Sequence, residues 1–189
     1  EDAEALLQPA IKKILAAAGD YCYGIDVPDL QTAVVQSLRQ KGLTVASAES
    51  CTGGLVAARL TEVPGASAVF GCGIVSYNNT VKAEVLSVDP AIIEQYTAVS
   101  AETAAAMAAA IRQKSGAGIG IGITGNAGPS ASEGQPVGLV FVAVASEKYS
   151  HVSRLFIDRH DADARNLIRH FAALKALSLI LRAAGYYKG

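Results

Sequence analysis

Between Ala117 and Thr124 the chain alternates strictly, with Ile119, Ile121 and Ile123 on one face and Gly118, Gly120 and Gly122 on the other. A period of two predicts a strand, and a glycine face permits close approach of a helix or a ligand. The apolar run Leu43 to Ala48 predicts an earlier strand, followed by a helix over about 51–62. Val69 to Tyr77 reads as a strand interrupted by glycines, and a short helix follows near 78–86. Val137 to Ser146 and Ser150 to Ile157 flank Glu147-Lys148-Tyr149 and read as a hairpin. Helices are expected from Asp29, a capping residue, to about Lys41, where Gly42 stops the chain. Others start at Asp89-Pro90 and at Ser100-Ala101-Glu102, the latter alanine-rich to Lys114. A last helix covers about Asp161 to Ala184.

Early alternation of strand and helix with a late hairpin implies an α/β fold. The expected sheet has about five strands and is mixed but mostly parallel, with one antiparallel strand and helices on both faces. A helix from Ala5 to Ala18 and a loop from Gly19 to Pro28 form a lead-in over residues 1–28, before a domain over 29–189. Open sheets of this kind bind ligands beyond the carboxyl ends of their strands. Three such ends are polar here: Glu49-Ser50, Tyr77-Asn78 and Thr124-Gly125.

Composition narrows the field. At 189 residues, 51% hydrophobic and 17% charged, the chain can bury a full core and does not read as disordered. A net charge of −1 and the lack of a basic stripe give no sign of a nucleic-acid partner. No apolar run is long enough for a membrane span, and no signal peptide opens the chain. The chain starts at Glu1, so it reads as a piece of a longer protein. Cys22, Cys51 and Cys72 have no paired spacing, and His151, His160 and His170 have no metal-ligand spacing. The expectation is a cytoplasmic protein without a metal.

Candidate chemistry gathers at Ala48-Glu49-Ser50-Cys51-Thr52-Gly53-Gly54. Ser50 could be a helix N-cap, which is the commoner use of a serine at a helix start. It could also be a nucleophile, with the following N–H groups holding an oxyanion. Two glycines in a helix start cost roughly 1 kcal/mol each against alanine, which makes sense if something must approach the backbone closely. Cys51 reads first as a small buried hydrophobe and second as a rival nucleophile. Lys82 is a surface lysine or a base of lowered pKa acting on Ser50. Arg165 and Arg169 share one helix face, as a solvated stripe or an anion clamp. Gly120-x-Gly122-x-x-Gly125 matches a dinucleotide fingerprint in form, but its first glycines lie inside a strand and no helix follows.

Five segments in one order are similar to a known family. They are the turn just quoted, Val75-Ser76-Tyr77-Asn78-x-x-x-Lys82, Ala98-Val99-Ser100, Gly122-Ile123-Thr124-Gly125-x-Ala127-Gly128-Pro129, and Pro136-Val137-Gly138. Together they resemble the CinA C-terminal family of nicotinamide-nucleotide amidohydrolases over about residues 29–183. The resemblance implies a three-layer α/β/α sandwich. It also implies hydrolysis of the carboxamide of nicotinamide mononucleotide, without organic cofactor or metal and commonly in a homodimer. It makes Ser50 the nucleophile, with Lys82 and Tyr77 activating it. Thr52, Gly53, Gly54, Thr124 and Gly125 would meet substrate, and Arg165 would hold its phosphate. The lead-in resembles the segment after an N-terminal molybdopterin-binding-like domain in competence/damage-inducible proteins. Two positions depart from the family: Gln135 stands where a lysine is common, and Asp163-Ala164 replaces a Gly-Asp before the arginine. They motivate an alternative, a nucleotide-binding regulatory module without turnover.

Overall fold

A computed structural model describes residues 3–19, 22–159 and 161–185. Residues 1, 2, 20 and 21 of the expected lead-in, and His160 and residues 186–189 of the expected domain, lie outside them. Helix α1 spans Ala3–Ala18 and α2 spans Leu30–Lys41. Strand β1 is Val45–Glu49, α3 is Leu55–Thr61, and a single 3₁₀ turn lies at Ala66–Ala68. Strand β2 is Phe70–Val75, followed by α4 at Asn79–Glu84, α5 at Pro90–Tyr96 and α6 at Ala101–Ser115. Strands β3 (Ile119–Gly125), β4 (Leu139–Ser146) and β5 (Ser150–Phe156) precede α7, Ala164–Ala183.

The helix stops and starts follow local chemistry. The Asp29 carboxylate accepts from the Thr32 N–H at 2.8 Å, and Gly42 ends α2 at φ +62°. Asn78 caps α4 through the Val81 N–H, and Ser100 caps α6 through the Thr103 N–H. Such a side-chain oxygen satisfies one of the N–H groups a helix start leaves open.

The five strands pair in the order β2-β1-β3-β4-β5. β1 is parallel to β2 and β3, while β4 is antiparallel to β3 and β5. This is the mixed, mostly parallel sheet expected from the alternation. One face packs Ile119, Ile121, Ile123, Val140 and Val142 against α2, α3 and α7. The other packs Ala46, Ala48 and Ala143 against α6. The result is three layers, helices on sheet on helices.

The glycine face of β3 has a definite purpose. A Cβ on Gly120 would sit 2.1 Å from the Ala108 carbonyl oxygen, and one on Gly122 would sit 2.2 Å from that of Ala104. The glycines therefore let α6 lie against the sheet, and no ligand enters there.

Three of the boundaries that differ from the expected ones bear on the strand ends. β2 ends at Val75, so Tyr77 stands in the loop beyond it. α3 starts at Leu55, not near Cys51. β1 starts at Val45 because the Leu43 N–H still closes the end of α2 on the Leu38 carbonyl.

Candidate active site

Register brings the polar strand ends together. Glu49 pairs with Val75 on one side and Ile123 on the other, so Ser50 lies level with Ser76 and Thr124. The Ser50 N–H donates to the Ile123 carbonyl and the Ser76 N–H to the Glu49 carbonyl, which fixes this level. A cavity of about 380 Å³ opens over these ends. Ser50, Cys51, Tyr77, Lys82, Thr124, Gly125 and Arg165 all line it. Thr52, Gly53 and Gly54 do not, so these three expected substrate contacts lie behind the wall.

The turn from Ser50 to Gly54 is shaped by a residue the sequence reading passed over. Glu49 is 1% exposed, and its carboxylate accepts from the N–H groups of Gly54, Val56 and Ala57 and from the Ser47 hydroxyl. It is the cap of α3, reached from the strand behind. The Ser50 side chain does not cap this helix, whose N-cap residue is Gly54. Gly53 and Gly54 hold φ of +61° and +92°, a left-handed backbone that glycine adopts without strain. Conformation, not substrate approach, requires them. From the other side Arg169 donates to the Thr52 carbonyl at 3.0 Å.

These bonds also sort the candidate oxyanion donors. The Gly53 N–H goes to the Ser50 carbonyl and the Gly54 N–H to Glu49. The N–H groups of Cys51 and Thr52 donate to no backbone carbonyl among the described residues, and of the two only Cys51 lines the cavity. The set narrows from Cys51–Gly54 to the Cys51 N–H.

The two nucleophile candidates are buried alike, Ser50 at 8% and Cys51 at 6% exposure. Cys51 is buried, and desolvation foremost, with the nearby Glu49 charge also opposing ionisation, pushes its thiol up to about 12. A protonated thiol is a poor nucleophile. Lys82 is 1% exposed, and its pKa is lowered by desolvation. The Glu133 carboxylate nearby opposes that shift only in part. A lysine so placed can shed its proton and serve as a base.

The remaining residues form the mouth and frame. Arg165 donates to the Gly128 carbonyl at 2.6 Å and to the Tyr77 hydroxyl at 3.0 Å. Tyr77 is 61% exposed. Thr124 is buried and donates to the Ala98 carbonyl at 2.6 Å. A Cβ on Gly125 would fall 2.7 Å from Val140, so β4 demands a glycine there. Asn126 ties the following loop, accepting from the Gly128 N–H and donating to the carbonyls of Ser130 and Gln135. Asn79 and Glu133 also line the cavity, and neither was singled out as a candidate. Asn79 had a readable sign, its place three residues before Lys82 on one helix.

A larger groove of about 1140 Å³ lies between α2, α3, β5 and α7. Its floor is Leu30, Leu55, Leu155 and Leu174, and it lacks the serine–lysine chemistry of the first. Among the described residues no group of three or more His, Cys, Asp or Glu is placed to hold a metal ion. No helix among them is long and apolar enough to cross a membrane.

Known proteins share this arrangement of elements. The chain is 33% identical to the competence/damage inducible protein CihA of Agrobacterium tumefaciens, with a TM-score of 0.77 over 86% of this chain and 98% of that one. A CinA-like protein of Desulfovibrio desulfuricans is 47% identical over 77% of this chain and 34% of its own length. One of Kosmotoga olearia is 41% identical over 97% of this chain and 44% of its own. The chain thus spans less than half the length of these two relatives. The family model described as CinA C-terminal domain matches residues 28–184. That match takes in every element from α2 to α7 and the whole cavity wall, and the chain belongs to the CinA C-terminal domain family.

Proposed function

We propose that this domain hydrolyses the carboxamide of nicotinamide mononucleotide, giving nicotinic acid mononucleotide and ammonia. The observation that carries the reaction type is Ser50 sharing a 380 Å³ cavity with a lysine that is 1% exposed. The pyridine nucleotide comes from the family resemblance. In relatives of more than twice the length, the same chemistry would belong to one part of a longer polypeptide.

In this reading Lys82 is neutral and takes the proton of Ser50 as the hydroxyl oxygen attacks the carboxamide carbon. The carbonyl oxygen becomes an oxyanion held by the N–H group of Cys51 on the cavity wall. The C–N bond breaks as Lys82 returns the proton to the departing nitrogen, and ammonia leaves. Water then attacks the acyl-serine, giving its proton to Lys82. The acid is released and the proton returns to Ser50. Arg165 sits at the mouth, where its charge suits a phosphate, and Tyr77 orients it.

The lowered pKa of Lys82 sets the direction of the pH dependence. The amine must be unprotonated, so kcat rises with pH as the proton leaves and falls on the acid side. The decisive experiment is ammonia release from nicotinamide mononucleotide by wild type and Ser50→Ala. The variant is expected to lose roughly 1000-fold or more in kcat. Wild-type rates in Ser50→Ala would end the serine mechanism. Tight nucleotide binding by a wild type that releases no ammonia would instead establish a regulatory module.

A further inference from the structure

Lys82 is sealed from solvent, and among the described residues its Nζ donates to one acceptor, Oδ1 of Asn79 at 3.5 Å. Three positions apart on α4, the two side chains share a helix face. The other end of the same amide, Nδ2 of Asn79, donates to Oε1 of Glu133 at 3.3 Å. A carboxylate only accepts, so it holds the amide with nitrogen outward and oxygen toward the lysine. Oε2 of Glu133 accepts from the Ala98 N–H at 2.8 Å, and the Ala98 carbonyl accepts from Thr124 at 2.6 Å. One chain of hydrogen bonds therefore runs from Lys82 to the end of β3.

The backbone places Glu133 at the tip of a tight turn: Ser132 and Gln135 exchange backbone hydrogen bonds, and Glu133 and Gly134 between them hold φ of +50° and +74°, as a two-residue hairpin turn requires. Glu133 is also the sole carboxylate among the described residues lining the cavity.

We propose that Asn79 and Glu133 are positioning residues for Lys82: Glu133 orients the Asn79 amide, and Asn79 presents its oxygen to the ammonium formed when Lys82 takes a proton. This rests on Lys82 being the base of the proposed amidase. The charge on Lys82 exists only while it carries the serine or water proton. An acceptor dipole and a negative charge aimed at it stabilise that stage more than the resting amine. The other titratable groups facing Lys82 across the cavity are Cys51 from the turn after β1, Tyr77 from the loop after β2 and Arg165 from α7. None of these is a carboxylate, and burial pushes the Cys51 thiol up to about 12.

The test pairs two measurements on wild type, Glu133→Gln, Glu133→Asp and Asn79→Ala. One is the titration midpoint of Lys82, followed by NMR of protein carrying ¹³C-labelled lysine. The other is the pH profile of ammonia release from nicotinamide mononucleotide. Glu133→Gln and Asn79→Ala are expected to lower the Lys82 midpoint by roughly one pH unit. The acid limb of kcat should move down by the same amount, and the plateau should fall by about 10-fold with KM little changed. Glu133→Asp keeps the charge and should recover part of the midpoint. An unmoved midpoint and acid limb in Glu133→Gln would overturn the proposal, even if that variant melted at a lower temperature. If wild type releases no ammonia, the amidase reading fails, and the Lys82 midpoint still decides whether this network acts on the lysine.

Discussion

The cavity has two walls of opposite character. The inner wall is Ser50, Lys82 and Thr124, at 8%, 1% and 1% exposure. It is built from strand ends, and its backbone groups are tied by register and by the Glu49 cap. The outer wall is Tyr77, Arg165 and residues 130–132, all exposed. It is held by long side chains that bond to one another and to a carbonyl. A reacting group gains from desolvation and a fixed position before substrate arrives. A recognition group has to be reachable. The two walls divide those tasks, and substitutions on each should fail in different ways.

The hardest blow to the inner wall is Glu49→Ala. It strips the N–H groups of Gly54, Val56 and Ala57 of their acceptor and leaves Ser47 unpaired, with Val56 and Ser47 buried and the other two half-buried. Losing a cap and orphaning buried donors should cost about 3 kcal/mol, or roughly 10 °C in melting temperature for a domain of this size. Activity should fall further than stability explains, because the turn carrying Ser50 and the Cys51 N–H loses its anchor. A thermal melt and a kcat measurement below the transition check both. A variant that melts as wild type does would show that the turn holds its own shape.

The outer wall should break differently. Arg165→Ala removes a guanidinium that is exposed and bonded to Gly128 and Tyr77. Little stability is at stake, since exposed polar contacts contribute little. If Arg165 meets the phosphate, KM should rise about 10-fold, the worth of one charge-assisted contact, with kcat nearly unchanged. Substrate lacking the phosphate should then be handled alike by both proteins. A loss confined to kcat would move Arg165 from the recognition wall to the chemical one.

The same division governs what could be read from the chain. The frame was legible because it is local: period-two alternation marked β3, Asp29 and Gly42 bounded α2, and turn residues separated the hairpin strands. The strand-end rule then put Ser50, Tyr77 and Thr124 on one rim. What stayed hidden depends on distance through space. Glu49 sits in a strand and caps a helix starting six residues later, which neither strand periodicity nor an N-cap pattern encodes. Glu133 lies in a glycine- and serine-rich loop and reaches Ala98 and Asn79, far away in sequence. The two glycines were legible as unusual, but only their positive φ separates a conformational need from room for substrate. Arg165 and Arg169 looked like one clamp on one helix face. One turn of helix is enough to send Arg165 to the mouth and Arg169 beneath the nucleophile turn.

The finest test lies inside the inner wall, between adjacent residues. Cys51 lines the cavity as Ser50 does, yet its thiol is pushed up to about 12 from an ordinary 9.0. At neutral pH it carries its proton, and with Ser50 as the nucleophile Cys51→Ala should keep ammonia release within about twofold of wild type. The raised value has a second consequence. Between pH 9 and 12 the folded state holds the Cys51 proton while the unfolded chain has released it. The contribution is therefore present in full below pH 9 and is lost as pH rises toward 12. Cys51→Ala lacks this term, so the stability gap between the two proteins should shift in favour of the variant as pH climbs through that window. Denaturant unfolding of both proteins at pH 7 and pH 10 measures it. A constant gap would place the thiol in a wetter setting than its burial implies, and Cys51 would return as a rival to Ser50.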